Sequence, residues 1–342
     1  MSLTRIRAGF AATVAAAAVL ALAGCSGGAS SPAATSPGEA GADGFPVTIA
    51  HAFGETVIES KPERIVTWGW GAADAVLALG EVPVAIPAQP YGGDEDGVLP
   101  WIADELESLD AQTPIVLDSS TNEVPIEAVA AADPDLFLAP YSGLTEDEYQ
   151  QLTGLGIPVV AYPETAWSTP WRDVITITGQ ALGAEAAADE VIAGIEEDIA
   201  AKAAENPAFA ENTVAQVWDT AGTFYVYLPA DPRVEFIEDL GFTTAPSVSE
   251  LDTGEATFYY TLGYENLDRL TSDVLIAYAD SQEQMDAFLA SDQAALLPQV
   301  AAGKVVQIVG EAEVASMSPP TALSVAWGLD AYVDALAQVV GD

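Results

Sequence analysis

From Arg64 to the C terminus, short unbroken apolar runs alternate with stretches whose apolar residues return every three or four positions. This alternation predicts an α/β fold. Arg64–Trp68 reads as a strand, Gly69–Gly71 as a turn and Ala72–Leu79 as a helix. Val84–Pro87, Leu136–Ala139 and Val159–Ala161 read as further buried strands, so residues 45–168 are expected to form a first α/β lobe. The pattern then changes. Between Trp171 and Ala204 there is no proline, alanine is plentiful, and Val174, Ile177, Ala181, Val191, Ile195 and Ile199 recur at helical spacing. Residues 169–205 are therefore predicted to be one long helix, weakened by Gly179 and Gly183, with a bend or break near Gly183.

The α/β pattern resumes over residues 206–342, with strands expected at Thr213–Trp218, Phe224–Leu228, Val274–Ala279 and Val305–Val309 and a last helix over Thr321–Val340. This half echoes the first. Glu127 opens a short apolar helix whose end, Asp133-Pro134-Asp135, leads into Leu136–Ala139; Glu265 opens a similar stretch ending at Asp273, before Val274–Ala277. Val129 and Leu267 fall at matching offsets. Two similar α/β halves joined by a helix imply two lobes and a cleft between them.

The N terminus has another logic. Met1–Gly9 carries Arg5 and Arg7, Phe10–Leu22 is apolar, and small residues precede Cys25, the single cysteine. Residues 1–24 have the layout of a secretory signal peptide, and Leu22-Ala23-Gly24-Cys25 resembles the bacterial lipobox, whose cysteine takes a diacylglyceryl group and acyl chains of the palmitate type. Two chains suffice for stable anchoring, whereas the apolar run is short for a membrane span. Residues 25–44, rich in Ser, Gly, Ala and Pro, are expected to be a flexible tether. The expected product is lipid-anchored at the cell membrane and faces outward.

Charge narrows the partners. The 342 residues carry 9 basic and 52 acidic side chains, a net of −43; without residues 1–24 the count is 7 basic and 52 acidic. Such a surface repels nucleic acid and anionic headgroups. The one histidine, His51, is expected at the surface, and no His-rich cluster is available to hold a bare metal ion. Gly24-Cys-Ser-Gly-Gly28 mimics a serine-nucleophile turn but straddles the lipidation site, and a Ser-His-Asp triad would have to recruit His51. No catalytic role is expected.

In order along the chain, Lys61-Pro62-Glu63-Arg64-Ile65-Val66, Trp70-Gly71-Ala72-Ala73-Asp74, Ala132-Asp133-Pro134-Asp135-Leu136, Gly179-Gln180-Ala181-Leu182-Gly183, Asp239-Leu240-Gly241-Phe242 and Ser318-Pro319-Pro320 resemble the helical-backbone class of ABC-importer substrate-binding proteins. That class serves ferric siderophores, haem and cobalamin; the ferric-siderophore branch is the most similar. The resemblance implies two Rossmann-like lobes joined by one long α-helix, limited hinge motion, a monomer, and no cofactor beyond iron inside its siderophore complex. It implies an ABC permease with its ATPase as partner, docked through one exposed glutamate per lobe, here Glu127 and Glu265. Haem or cobalamin binding, or a surface lipoprotein without a transport role, are the alternatives.

Ligands of open α/β sheets lie beyond the carboxyl ends of the strands, and those ends are rich in aromatics. Trp70, Tyr141, Trp167, Trp218 and Tyr227 are the expected walls, with Trp68, Tyr225 and Trp327 assigned to core packing. Arg233 is the expected cation of the cleft, with an ion pair to Asp231 or Glu235 as its structural alternative; Arg172 is a weaker candidate, Arg64 structural and Arg269 solvated. So few cations suit a neutral or cationic hydroxamate chelate better than an anionic catecholate.

Overall fold

The computed structural model describes residues 44–341 apart from Glu255, so Cys25, the signal peptide and nearly all of the tether lie outside the described residues. An antiparallel hairpin, β1 (Val47–His51) with β2 (Gly54–Ile58), comes first. The first lobe contains β3 (Ile65–Thr67), β4 (Ala85–Pro87), β5 (Ile115–Leu117), β6 (Leu136–Leu138) and β7 (Val159–Val160). Between them run α1 (Ala72–Ala78), α2 (Pro100–Ser108), α3 (Ile126–Ala131) and α4 (Glu146–Gly154). All five strands are parallel, in the order β5-β4-β3-β6-β7. β3 and β6 are wholly buried, which is why they read as unbroken apolar runs.

The connector is two helices, α5 (Trp171–Leu182) and α6 (Glu185–Glu205), rather than one continuous helix, and the break falls at Gly183, where the sequence predicted a bend or break. Gly183 caps α5 in the left-handed region at φ 63°, a conformation that side chains resist, and ends it there. α5 packs on α1 and β1, whereas α6 packs on helices of the second lobe.

That lobe holds β8 (Thr213–Thr220), β9 (Thr223–Tyr227), β10 (Thr243–Thr244), β11 (Tyr259–Thr261), β12 (Val274–Ala279) and β13 (Val305–Val309). Its helices are α7 (Pro232–Asp239), α8 (Pro246–Glu250), α9 (Gln282–Leu289), α10 (Pro298–Ala302), α11 (Glu311–Ser316) and α12 (Ser324–Val340). The sheet order is β11-β9-β8-β12-β13, with β10 also on β8; β8, β12 and β13 are parallel and β9 and β11 antiparallel.

The echo between the halves has a physical basis. Asp135 accepts the amides of Glu63 (2.8 Å) and Arg64 (2.9 Å), pinning the start of β3 to that of β6. Asp273 accepts the amide (2.8 Å) and hydroxyl (2.6 Å) of Thr213, doing the same for β8 and β12. His51 and Trp327, like Tyr225, depart from expectation. His51 is buried, because the hairpin lies along β7: its Nε2 meets Thr56 Oγ1 at 3.0 Å, and that hydroxyl donates to the Val159 carbonyl. Trp327 is 37% exposed rather than core, lying on the outer side of α12 against Trp101 with ring centres 5.5 Å apart.

Candidate functional site

In each sheet the strand order reverses direction once, between β3 and β6 in the first and between β8 and β12 in the second. The chain leaves such a pair toward opposite sides, so a crevice opens beyond the carboxyl ends. Beyond β3 and β6 lie Trp70 and Tyr141, joined by a Trp70 amide to Tyr141 carbonyl hydrogen bond of 3.0 Å. Gly69 makes this approach possible. A Cβ there would stand 2.2 Å from the Tyr141 carbonyl oxygen. At the second reversal Trp218 and Tyr278 are register partners, and Asp280 follows directly after β12.

The two crevices face each other. Tyr91, on the loop after β4, donates to Asp280 Oδ1 at 2.9 Å and lies against Trp218 with ring centres 5.9 Å apart. On the first-lobe side an open pocket of about 240 Å³ is walled by Trp68, Trp70, Tyr91 and Trp167. The Trp70 indole donates to the Pro319 carbonyl at 3.0 Å, and buried Asp74 accepts from the Trp101 indole (2.7 Å) and from Thr321. The segment before α12 is thereby tied to the first lobe, and the described residues fall in one compact unit. Burial holds the Asp74 carboxyl above its ordinary pKa, an effect that the two hydrogen bonds only partly offset.

Arg233 anchors the second-lobe wall. Its guanidinium lies 3.8 Å above the Tyr227 ring, and its Nε donates to the buried Asp231 carboxylate at 2.7 Å. Desolvation alone would weaken the cation, but Asp231 overrides it and holds the pKa above normal. Asp231 also caps α7 by accepting the Arg233 amide. Tyr227, Tyr278 and Tyr141 all contribute to the field at the guanidinium, Tyr141 from the opposite lobe. Tyr278 in turn donates to Gln216 at 2.7 Å and meets the Tyr332 hydroxyl at 3.2 Å.

Of the expected wall residues, Trp70 and Trp167 line the cavity, and Tyr141 pairs edge-on with Trp167 at 5.6 Å. Trp218 is half-buried at the crossing point, and its indole nitrogen is buried with no hydrogen-bond partner among the described residues. Tyr227 is buried and serves as the floor under Arg233. Trp68 is core, as expected, while Tyr225 is half-buried and stacks edge-on with Tyr259. Arg172 is no cleft residue: its three nitrogens bond to Glu196, Glu235 and Asp239. Arg64 donates to the carbonyls of Ala132 and Asp133 at the end of α3, a structural role. Glu127, in the first turn of α3, and Glu265, in the 3-10 turn Tyr264–Arg269, are both exposed. Sequence reading missed Tyr91 and Asp280. An acid directly after a buried strand was a usable signal for Asp280; nothing local marks Tyr91.

The comparisons agree with this architecture. A periplasmic binding protein family profile matches residues 65–312, from β3 into α11. PiaA of Streptococcus pneumoniae TIGR4, solved in complex with ferrichrome, is 31% identical with a TM-score of 0.77, over 86% of this chain and 98% of that one. A periplasmic solute binding protein of Mycobacterium smegmatis is 28% identical with a TM-score of 0.74, over 86% and 99%. FhuD2 of Staphylococcus aureus, with bound ferrioxamine B, shares the fold at 15% identity and a TM-score of 0.63, over 82% and 100%. No curated protein sequence matches the chain. With both crevices inside the matched span, the chain belongs to the periplasmic binding protein family.

Proposed function

We propose that this chain is the capture component of an ABC importer and takes a ferric siderophore of the hydroxamate type into the interlobe cleft. The observation that carries it is the junction of the lobes: Tyr91 of the first lies against Trp218 of the second, and Arg233, stacked on Tyr227, has its charge already answered by Asp231. Flat rings suit a bulky chelate whose iron is already fully coordinated. A triscatecholate complex, strongly anionic, would find no surplus of cations. The ferrichrome of the Streptococcus pneumoniae relative, a ferric trishydroxamate, supports the same class. Iron enters as the chelate, so the protein acts as a binder and not as an enzyme.

Tryptophan-fluorescence titration against ferric trishydroxamates, a ferric triscatecholate, haem and cobalamin tests the reading. Hydroxamate complexes should quench at the lowest concentrations. Preference for the catecholate, or a Soret band with haem, would overturn it.

The remaining roles complete the proposal. Cys25 carries the lipid anchor that holds a monomer outside the cell membrane, so Cys25→Ala should release the protein into the medium. Glu127 and Glu265, exposed on separate lobes, give a two-point register on arginines of the permease. Replacing both with Ala should abolish uptake and leave siderophore affinity intact.

A further inference from the structure

Resting on the ferric-siderophore reading, we propose that Asp280 selects a chelate bearing a positive charge, such as a trishydroxamate with a protonated pendant amine, over neutral and anionic chelates. Asp280 stands at the reversal point of the second sheet, where its neighbour Trp218 already faces the first lobe. Its carboxylate takes one side-chain hydrogen bond, from Tyr91 across the cleft, and no cation pairs with it among the described residues. Burial and then Asp280 push the Tyr91 phenol well above its ordinary pKa, with Glu311 at the start of α11 adding to the same negative field.

The basic side chains of the described residues can all be traced. Lys61 pairs with Glu81, Lys202 with Asp330, and Arg172 with three acids. Arg64 and Lys304 are spent on backbone carbonyls, and Arg269 is exposed on the 3-10 turn. Arg233 alone reaches the cleft, and Asp231 neutralises it. The uncompensated charge at the crossing point is therefore negative. An ammonium on the ligand can replace the Tyr91 hydroxyl with a charge-assisted bond to Asp280, which a neutral chelate cannot do and an anionic one opposes.

The test compares ferric desferrioxamine B, which carries one protonated amine, with its N-acetylated ferric complex, which carries none. Both are titrated by fluorescence against the wild type and Asp280→Asn. The amine complex should bind the wild type about tenfold tighter, and the gap between the two complexes should close in Asp280→Asn. Independently of any variant, raising the ionic strength should weaken the amine complex selectively. Equal affinities in the wild type, a gap surviving in Asp280→Asn, or a gap indifferent to salt would each overturn the role of Asp280 while leaving the siderophore reading intact. Binding of neither complex would overturn both.

Discussion

Arg172, at the start of α5, lies 4.3 Å above the Trp171 ring and gives its three nitrogens to Glu196, Glu235 and Asp239. Arg233, on α7, lies 3.8 Å above Tyr227 and gives only its Nε to a carboxylate, Asp231. Both stack on an aromatic ring and both sit near the lobe junction, so residue type and local sequence do not separate them. Donor usage does. Arg172 has spent three nitrogens on two helices of the scaffold, α6 and α7, while Arg233 gives one nitrogen to a carboxylate and lies over Tyr227. A guanidinium that gives one nitrogen to a carboxylate is less committed to the scaffold than one that gives three.

Four measurements sharpen or break this contrast. Arg233→Ala strands a buried carboxylate, so unfolding free energy should fall by about 3–5 kcal/mol, and hydroxamate affinity should drop at least about tenfold. Arg172→Ala should cost about 1–2 kcal/mol in urea unfolding, since its partners are partly solvated, with affinity unchanged. Equal loss of affinity in the two variants would erase the distinction.

Asp74 gives a buried carboxylate answered by an indole and a hydroxyl instead of a guanidinium. Its folded-state pKa lies above 3.8, so its contribution is fully present below that value and is lost as pH rises through the raised one. Asp74→Asn should therefore gain stability relative to wild type with increasing pH across that window, as followed by urea midpoints. A constant difference would show that the carboxyl does not titrate there. Lys61, paired with Glu81 at 2.6 Å but exposed, should be the least sensitive cation. Lys61→Ala should change stability by less than about 0.5 kcal/mol.

The central strands were legible because burial on both faces leaves an unbroken apolar run; Val274–Ala279 and Val305–Val309 match their predicted limits. The repeated acid before β6 and β12 was legible for the same reason, since each must cap the neighbouring strand at one fixed offset. The β1–β2 hairpin was not anticipated, and with it went the surface placement of His51, which only the long-range contact between Thr56 and β7 decides. Tyr91 was illegible because its loop, rich in Gly, Pro and Asp, carries no periodicity, and its partner lies 189 residues away. The walls of the site could thus be named from strand ends, but the contacts between the lobes could not.

The turn at Gly183 lets α5 ride with the first lobe and α6 with the second, yet Arg172 on α5 grips α6 and α7 together. Such a joint transmits little swing. In an importer, loaded and empty carriers would then present nearly the same face to the membrane machinery. Empty ones would compete for the docking surface, and iron supply would depend on the ratio of filled to vacant carriers as much as on the number that are filled.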